Sequence, residues 1–280
     1  MAARKTLQRG TAFGLLILSW IAGQNVWAEE TPKPRTEVDY ELARQGRYIY
    51  ERNCFVCHGP YGDGKGEMAK ELPIKPRSFR EGWFKFRSTP FDKLPTDDDL
   101  RKTITGGLTG TAMGMFSTLS HDEVDALIEY IKSLSRRWRK VENYAPALEL
   151  PKAPEWFEDY RTVKEHAEKA KPLFQSLCSA CHGQTGAGNG MSAALLKDGW
   201  GNAVQPADLR AEHLRCGDGA PDLYRLLTTG MNGTPMLSFA GLSEEQRWEL
   251  AAYVMSLRPK EKGADAVEKS EKELETKEKK

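Results

Sequence analysis

The sequence predicts an all-α chain in which one helical unit is used twice. Three observations carry that prediction: a long-range repeat in register, an apolar stripe of helical period opening each copy, and a capped amphipathic stretch closing each. The repeat is the most specific of them. Cys54-Phe-Val-Cys57-His58 recurs as Cys178-Ser-Ala-Cys181-His182, 124 residues later. Gly59, Gly62, Gly64 and Gly66 recur at the same offset as Gly183, Gly186, Gly188 and Gly190. Further on, Gly107-Leu-Thr-Gly110-Thr111-Ala-Met113 matches Gly230-Met-Asn-Gly233-Thr234-Pro-Met236 at an offset of 123, so a single-residue length change separates the blocks. Such a register marks internal duplication.

The elements follow in chain order. Residues 1–28 read as an export signal: Arg4, Lys5 and Arg9 precede an apolar run from Ala12 to Ala22, and Val26 and Ala28 supply small residues at the cleavage positions. The run is short of the ~20 residues a bilayer span needs, and no later stretch is apolar enough to cross a membrane. The first repeat is expected over 38–138. It opens with a helix over about 38–54, where Ala43, Gly46, Ile49 and Tyr50 share a face. Its close is a helix starting at the capping box Ser120-x-x-Glu123, with Val124, Leu127, Ile128, Ile131 and Leu134 at helical spacing. Residues 139–160, with Pro146, Pro151 and Pro154, read as a semi-stiff linker. The second repeat, 161–258, places Ala170, Leu173 and Phe174 in the opening helix, and Pro172 is expected to start or kink it there. The capping box Ser243-x-x-Gln246 opens the closing helix, with Leu250, Ala251, Val254 and Leu257 on its stripe. Small Gly46 and Ala170 suit close packing of first helix on last. The remainder, 259–280, is a charged tail without the apolar content for a core.

Composition narrows the function classes. Of 280 residues 39% are hydrophobic and 9% aromatic, ordinary for a soluble globular chain. With Arg4, Lys5 and Arg9 taken from the 41 basic residues, 38 stand against 40 acidic ones, a net of −2 that argues against nucleic acid as a partner.

The pentapeptides carry the chemistry. Two thiols three positions apart can each form a thioether to one vinyl group of a haem, and the adjoining histidine can reach its iron. Cys54, Cys57, Cys178 and Cys181 are therefore the expected attachment points of two covalently bound c-type haems, with His58 and His182 as proximal iron ligands. Zinc would demand two further thiol or imidazole ligands near each cysteine pair, and neither copy offers them. Because haem is attached outside the cytoplasm, the export signal and the pentapeptides point to the same place, the periplasm. The second axial ligand must come from far along the chain. Met113 and Met236, both in Gly-Thr-x-Met, recur in register, and an unbranched thioether can reach iron where glycine lets the backbone come close. Met115 competes locally with Met113, but its counterpart is Ser238. His121, His166 and His213 have no matching histidine in the other copy. Iron ligated by histidine and methionine is six-coordinate and shuttles one electron with little change of geometry.

Other residues stand outside this scheme. Cys216 is an odd thiol, either a partly buried small hydrophobe or a reactive or ligating group. The stretches Pro73–Pro76 and Pro206–Leu209 are candidates to set a carbonyl against each proximal imidazole, although they do not align cleanly. Arg77, Arg80, Trp83, Arg87 and Arg210 are candidate partners of haem propionates.

Together, these pentapeptides, glycine-rich follow-ons, Gly-Thr-x-Met loops and capped final helices resemble the class I cytochrome c family, in the tandem diheme form of bacterial periplasmic cytochromes. The resemblance covers roughly 38–136 and 162–258. Ala112 departs from the proline that stands at Pro235 in the fuller pattern. The resemblance implies an all-α fold of two tandem cytochrome c domains, each a small helical bundle around its haem. The implied role is relay of single electrons between a donor and an acceptor protein, as a carrier or as the electron-transfer subunit of a larger exported oxidoreductase. The competing reading is a diheme enzyme, a peroxidase or a thiosulfate-dehydrogenase-like catalyst, which needs a vacant or displaceable iron site; a gas-binding sensor would need a labile Met113.

Overall fold

A computed structural model describes residues 37–259, which fall in one compact unit. The expected export signal and, apart from Pro259, the charged tail lie outside the described residues. Among the described residues there is no β-strand, only an isolated antiparallel bridge between Lys197 and Ala203. The order is α1 (Tyr40–Asn53), α2 (Phe55–His58), α3 (Asp97–Gly106), α4 (His121–Ser133), then α5 (Tyr160–Leu177), α6 (Ser179–His182), α7 (Ala220–Thr229) and α8 (Glu244–Ser256). The second four repeat the first four.

In each copy the first helix packs on the last, α1 on α4 and α5 on α8. The face anticipated for α1 is the buried one: Ala43, Gly46, Ile49 and Tyr50. Gly46 is where the helices cross most closely, because a Cβ there would lie 1.8 Å from the Ala126 carbonyl oxygen. At the matching crossing Ala170 is buried with Ala251 and Ala252. An aromatic pair closes each crossing, Tyr50 on Tyr130 with centroids 5.0 Å apart and Phe174 on Tyr253 at 4.9 Å. Both anticipated capping boxes form, with Ser120 and Ser243 accepting from the backbone amides of Glu123 and Gln246 and the side chains of those residues returning a bond.

Helix α5 runs unbroken through Pro172, so proline neither starts nor ends it. The start lies upstream, where the Asp159 carboxylate accepts from the Arg161 amide at 2.9 Å. Proline removes the bond to the Glu168 carbonyl, but Pro172 and Glu168 are both exposed, while Ala167, Ala170 and Phe174 pack on the opposite face. Burial of that face holds the helix across the missing bond.

Two further helices, α3 and α7, escaped the sequence reading, although their bounds are 123 residues apart. Leu100 and Ile104 anchor α3 in the first core, and Leu223 and Leu227 anchor α7 in the second. Residues 139–160 are tied down at both ends. Asn143 accepts from the Leu94 amide at 2.9 Å and Leu148 donates to Ser88 at 2.8 Å, while Trp156 stacks on Phe157, which meets Trp248 edge-on.

The crossing at Gly46 is sterically saturated, so Gly46→Ala is expected to destabilise the holoprotein by about 3 kcal/mol or more, read as a fall in the urea midpoint. An unchanged midpoint would mean that α1 and α4 do not approach this closely.

Candidate haem sites

Each pentapeptide occupies the junction of the first two helices of its copy. Cys54 ends α1 with φ −119°, and Cys178 ends α5 with φ −115°. The chain then turns into a single helical turn in which His58 donates its amide to Cys54 O at 2.9 Å and His182 does so to Cys178 O at 2.9 Å. That turn presents two thiols and an imidazole from five consecutive residues. All four cysteines are unpaired and half-buried, and Cys54 and Cys178 pack against the two cores. Burial, reinforced by the neighbouring cysteine, pushes the Cys54 thiol up to about 12 and the Cys178 thiol to about 11.

The imidazoles are oriented by backbone. His58 Nδ1 lies 3.0 Å from Arg77 O, and His182 Nδ1 lies 3.1 Å from Ala207 O. A carbonyl only accepts, so Nδ1 carries the proton and Nε2 keeps its lone pair for a metal. Burial lowers the pKa of both rings, against the opposing effect of the carbonyl bond, which favours the neutral, ligating form.

The accepting carbonyls were half-visible in the sequence. Each is the residue just after a proline, Pro76 or Pro206, and the segments correspond at an offset of 130: Phe79 donates its amide to Gly62 O and Leu209 to Gly186 O, both at 2.7 Å. A six-residue insertion in the second copy hid this alignment. Gly64 and Gly188 allow the approach, since each has φ near +70° and a Cβ on either would lie 2.6 Å from the carbonyl oxygen of Pro76 or Pro206. Phe79 stacks on the His58 ring at 4.4 Å, a contact the sequence reading missed.

The two methionine loops have the same internal bonding. Thr111 Oγ1 accepts from the Met113 amide at 3.0 Å and Thr234 Oγ1 from the Met236 amide at 3.2 Å. Leu108 donates to Met113 O and Met231 to Met236 O, each at 3.0 Å. Ala112 in place of a proline leaves this pattern intact. Met113 and Met236 are half-buried, whereas Met115 is 73% exposed and Ser238, at its place in the second copy, bonds Thr228 O at 2.6 Å.

The donor set fits haem c in both copies. Thiols, a pre-oriented imidazole and a thioether loop recur in both copies, and a guanidinium nitrogen left without a hydrogen-bond partner adds to the fit. Arg77 Nη1 is buried without a hydrogen-bond partner. Burial first, then the nearby Arg77 and Arg215, push the Lys85 amine down to about 8, against the attraction of Asp198. A desolvated group of cations suits the carboxylates of haem propionates. Two other expected propionate partners are engaged elsewhere: Arg210 pairs with Asp208 at 2.8 Å, and Arg87 bonds backbone carbonyls at the end of α7.

The residues left over have local roles. His166 bonds Glu249 at 2.9 Å and stacks on Trp156, His213 pairs with Asp218 at 2.8 Å, and His121 lies beside Arg101. Cys216 packs into the second core, where burial pushes its thiol to about 11. Such a thiol is a poor nucleophile at neutral pH.

Comparison with known proteins agrees with this geometry. The family described as "Cytochrome C oxidase, cbb3-type, subunit III" matches twice, over residues 41–131 and 165–254. The cbb3-type cytochrome c oxidase subunit CcoP of Azospirillum brasilense is 26% identical over 251 residues, covering 86% of this chain and 69% of the relative. The CcoP subunit of Azospirillum sp. (strain B510) is 27% identical over 248 residues with the same coverage. Among solved structures, a chain of the Kuenenia stuttgartiensis reducing HAO-like protein complex superposes with a TM-score of 0.73 at 34% identity, covering 80% of this chain and all of that one. Among the described residues no helix is long and apolar enough to cross a membrane. The chain thus belongs to the cbb3-type cytochrome c oxidase subunit III family, as a class I cytochrome c of two tandem all-α domains that carries two covalently bound haem c groups.

Proposed function

We propose that this protein is an exported, periplasmic electron-transfer subunit that passes single electrons between a donor and an acceptor within a larger oxidoreductase complex. The observation that carries the reading is the paired site geometry: in both copies a carbonyl-anchored imidazole is accompanied by a methionine loop with the same internal bonds. Haem c, once attached, supplies an iron centre that cycles between two oxidation states.

The chain's own residues set how that centre behaves. Cys54 and Cys57, and Cys178 and Cys181, would each hold one haem through two thioethers at the end of a helix. His58 and His182 hold the Nδ1 proton on a main-chain carbonyl and direct Nε2 at the metal. Met113 and Met236 would hold the iron through soft sulfur, a ligand that favours the reduced state and raises the potential. With a histidine and a methionine both holding the iron, peroxide or oxygen would have to displace a side chain to bind. Support for a complex comes from the relatives, which are subunits of a cbb3-type oxidase and a chain of an HAO-like complex. The export-signal reading of residues 1–28 and the thioether chemistry support a periplasmic location.

The reduced holoprotein is expected to show low-spin spectra for both haems and no spectral response to carbon monoxide; a resting high-spin haem that binds the gas at once would instead indicate a diheme enzyme or sensor. Met113→Ala is expected to convert one haem to a carbon monoxide-binding form and lower its potential, whereas Met115→Ala leaves both spectra as they were. Cys216→Ser is likewise expected to leave the absorption spectrum unchanged, and a shift of either Soret band would give that thiol a ligating role.

A further inference from the structure

Contacts from the first domain converge on the loop that carries Met236. Arg87, only 3% exposed, donates from Nη2 to Thr229 O at 2.5 Å and from Nη1 to Gly230 O at 3.2 Å, while its Nε reaches Pro90 O at 3.3 Å within its own domain. Thr229 is the last residue of α7, so a guanidinium from one domain caps the carbonyl end of a helix in the other. Three residues on, Asn232 is 2% exposed and makes two more bonds across the boundary: its Oδ1 accepts from the Asp92 amide at 3.0 Å and its Nδ2 donates to Lys93 O at 3.2 Å. Gly233 is walled in as well, since a Cβ there would lie 3.0 Å from the Trp200 ring and 3.2 Å from Arg77 Nη1.

The matching loop of the first domain has none of this. Thr109 stands where Asn232 does and Gly110 where Gly233 does, and both are exposed. A Cβ on Gly110 would meet nothing within 4 Å. Among the described residues no hydrogen bond ties residues 107–113 to the second domain. The Thr–Met bonds inside the two loops agree, and the bonds from Arg87, Asp92 and Lys93 are what the interface adds to the second.

We propose that the first domain clamps the sixth-ligand loop of the second haem, with Arg87 as the positioning residue, so that Met236 is displaced much less readily than Met113. The inference rests on the assignment of Met113 and Met236 as iron ligands. For sulfur to leave iron, its loop must move. Moving the Met236 loop breaks buried, charge-assisted bonds and strands a guanidinium in a desolvated interface. Moving the Met113 loop breaks no hydrogen bond to the second domain. The first haem is therefore the one open to ligand exchange, and the second is held six-coordinate by its neighbour domain.

The test is a titration of the ferric holoprotein with imidazole. The methyl resonance of each iron-bound methionine is followed by NMR and identified with Met113→Ala and Met236→Ala. In the parent protein the Met113 signal is expected to disappear at an imidazole concentration at least about tenfold below that for Met236, the scale of one or two buried charge-assisted bonds. Arg87→Met should lower the Met236 midpoint by about tenfold and leave that of Met113 in place; Asn232→Ser is the milder variant, with the same direction expected, should Arg87→Met fold poorly. Equal midpoints in the parent protein, an unmoved Met236 midpoint in the variants, or a parallel shift of both methionines would overturn the clamp. If Met236→Ala keeps both methyl signals, the ligand assignment itself is wrong, a failure distinct from that of the clamp.

Discussion

An imidazole whose N–H is held by a main-chain carbonyl has only one direction left in which to offer its other nitrogen, and both halves of this chain are folded to make that bond. The carbonyl of Arg77 or Ala207 reaches its histidine because the glycine-rich turn after the pentapeptide lets backbone pass over backbone at Gly64 and Gly188. The pentapeptide reaches the same place because the first helix of each copy is locked on the last, at Gly46 in one and Ala170 in the other. Helix crossing, glycine turn and carbonyl anchor form a sequence of dependencies in which each step positions the next.

The duplication has not kept the two sites equivalent. Their Thr–Met bonds agree, yet one methionine loop has its tip, Thr109 and Gly110, in solvent and the other is held by Arg87, Asp92 and Lys93 and walled by the Trp200 ring. Two copies of one unit placed side by side present the same face to the joint only if they meet symmetrically, and these do not: the Met236 loop is bonded across the joint by Arg87, Asp92 and Lys93, and its counterpart is not. Residues that began as equivalent loops therefore experience different surroundings, which gives the two haem sites a physical basis for distinct behaviour although their candidate ligands match.

Much of the site was legible from residue order. The pentapeptides, the recurring Gly-Thr-x-Met and the two capping boxes each depend on chemistry acting over a few residues, and the structure forms both boxes and repeats the methionine loop in the two copies. Helices α3 and α7 were missed because their short apolar patterns, Leu100 with Ile104 and Leu223 with Leu227, lie among polar residues without a long stripe. Pro172 does not start the helix for a related reason: its local cost is real, but the buried face of Ala167, Ala170 and Phe174 outweighs it and α5 begins twelve residues earlier, at Tyr160.

From order alone came the all-α class, the twofold repeat and the candidate ligands, since these follow from spacing and periodicity within each unit. The partner of each imidazole, the unbroken course of α5 and the enclosure of the Met236 loop depend on which backbone atoms meet after folding. Arg87 shows the limit most clearly: in the sequence it is one of several arginines near a haem site, and only the packing of the two domains directs it to the end of α7, 142 residues away.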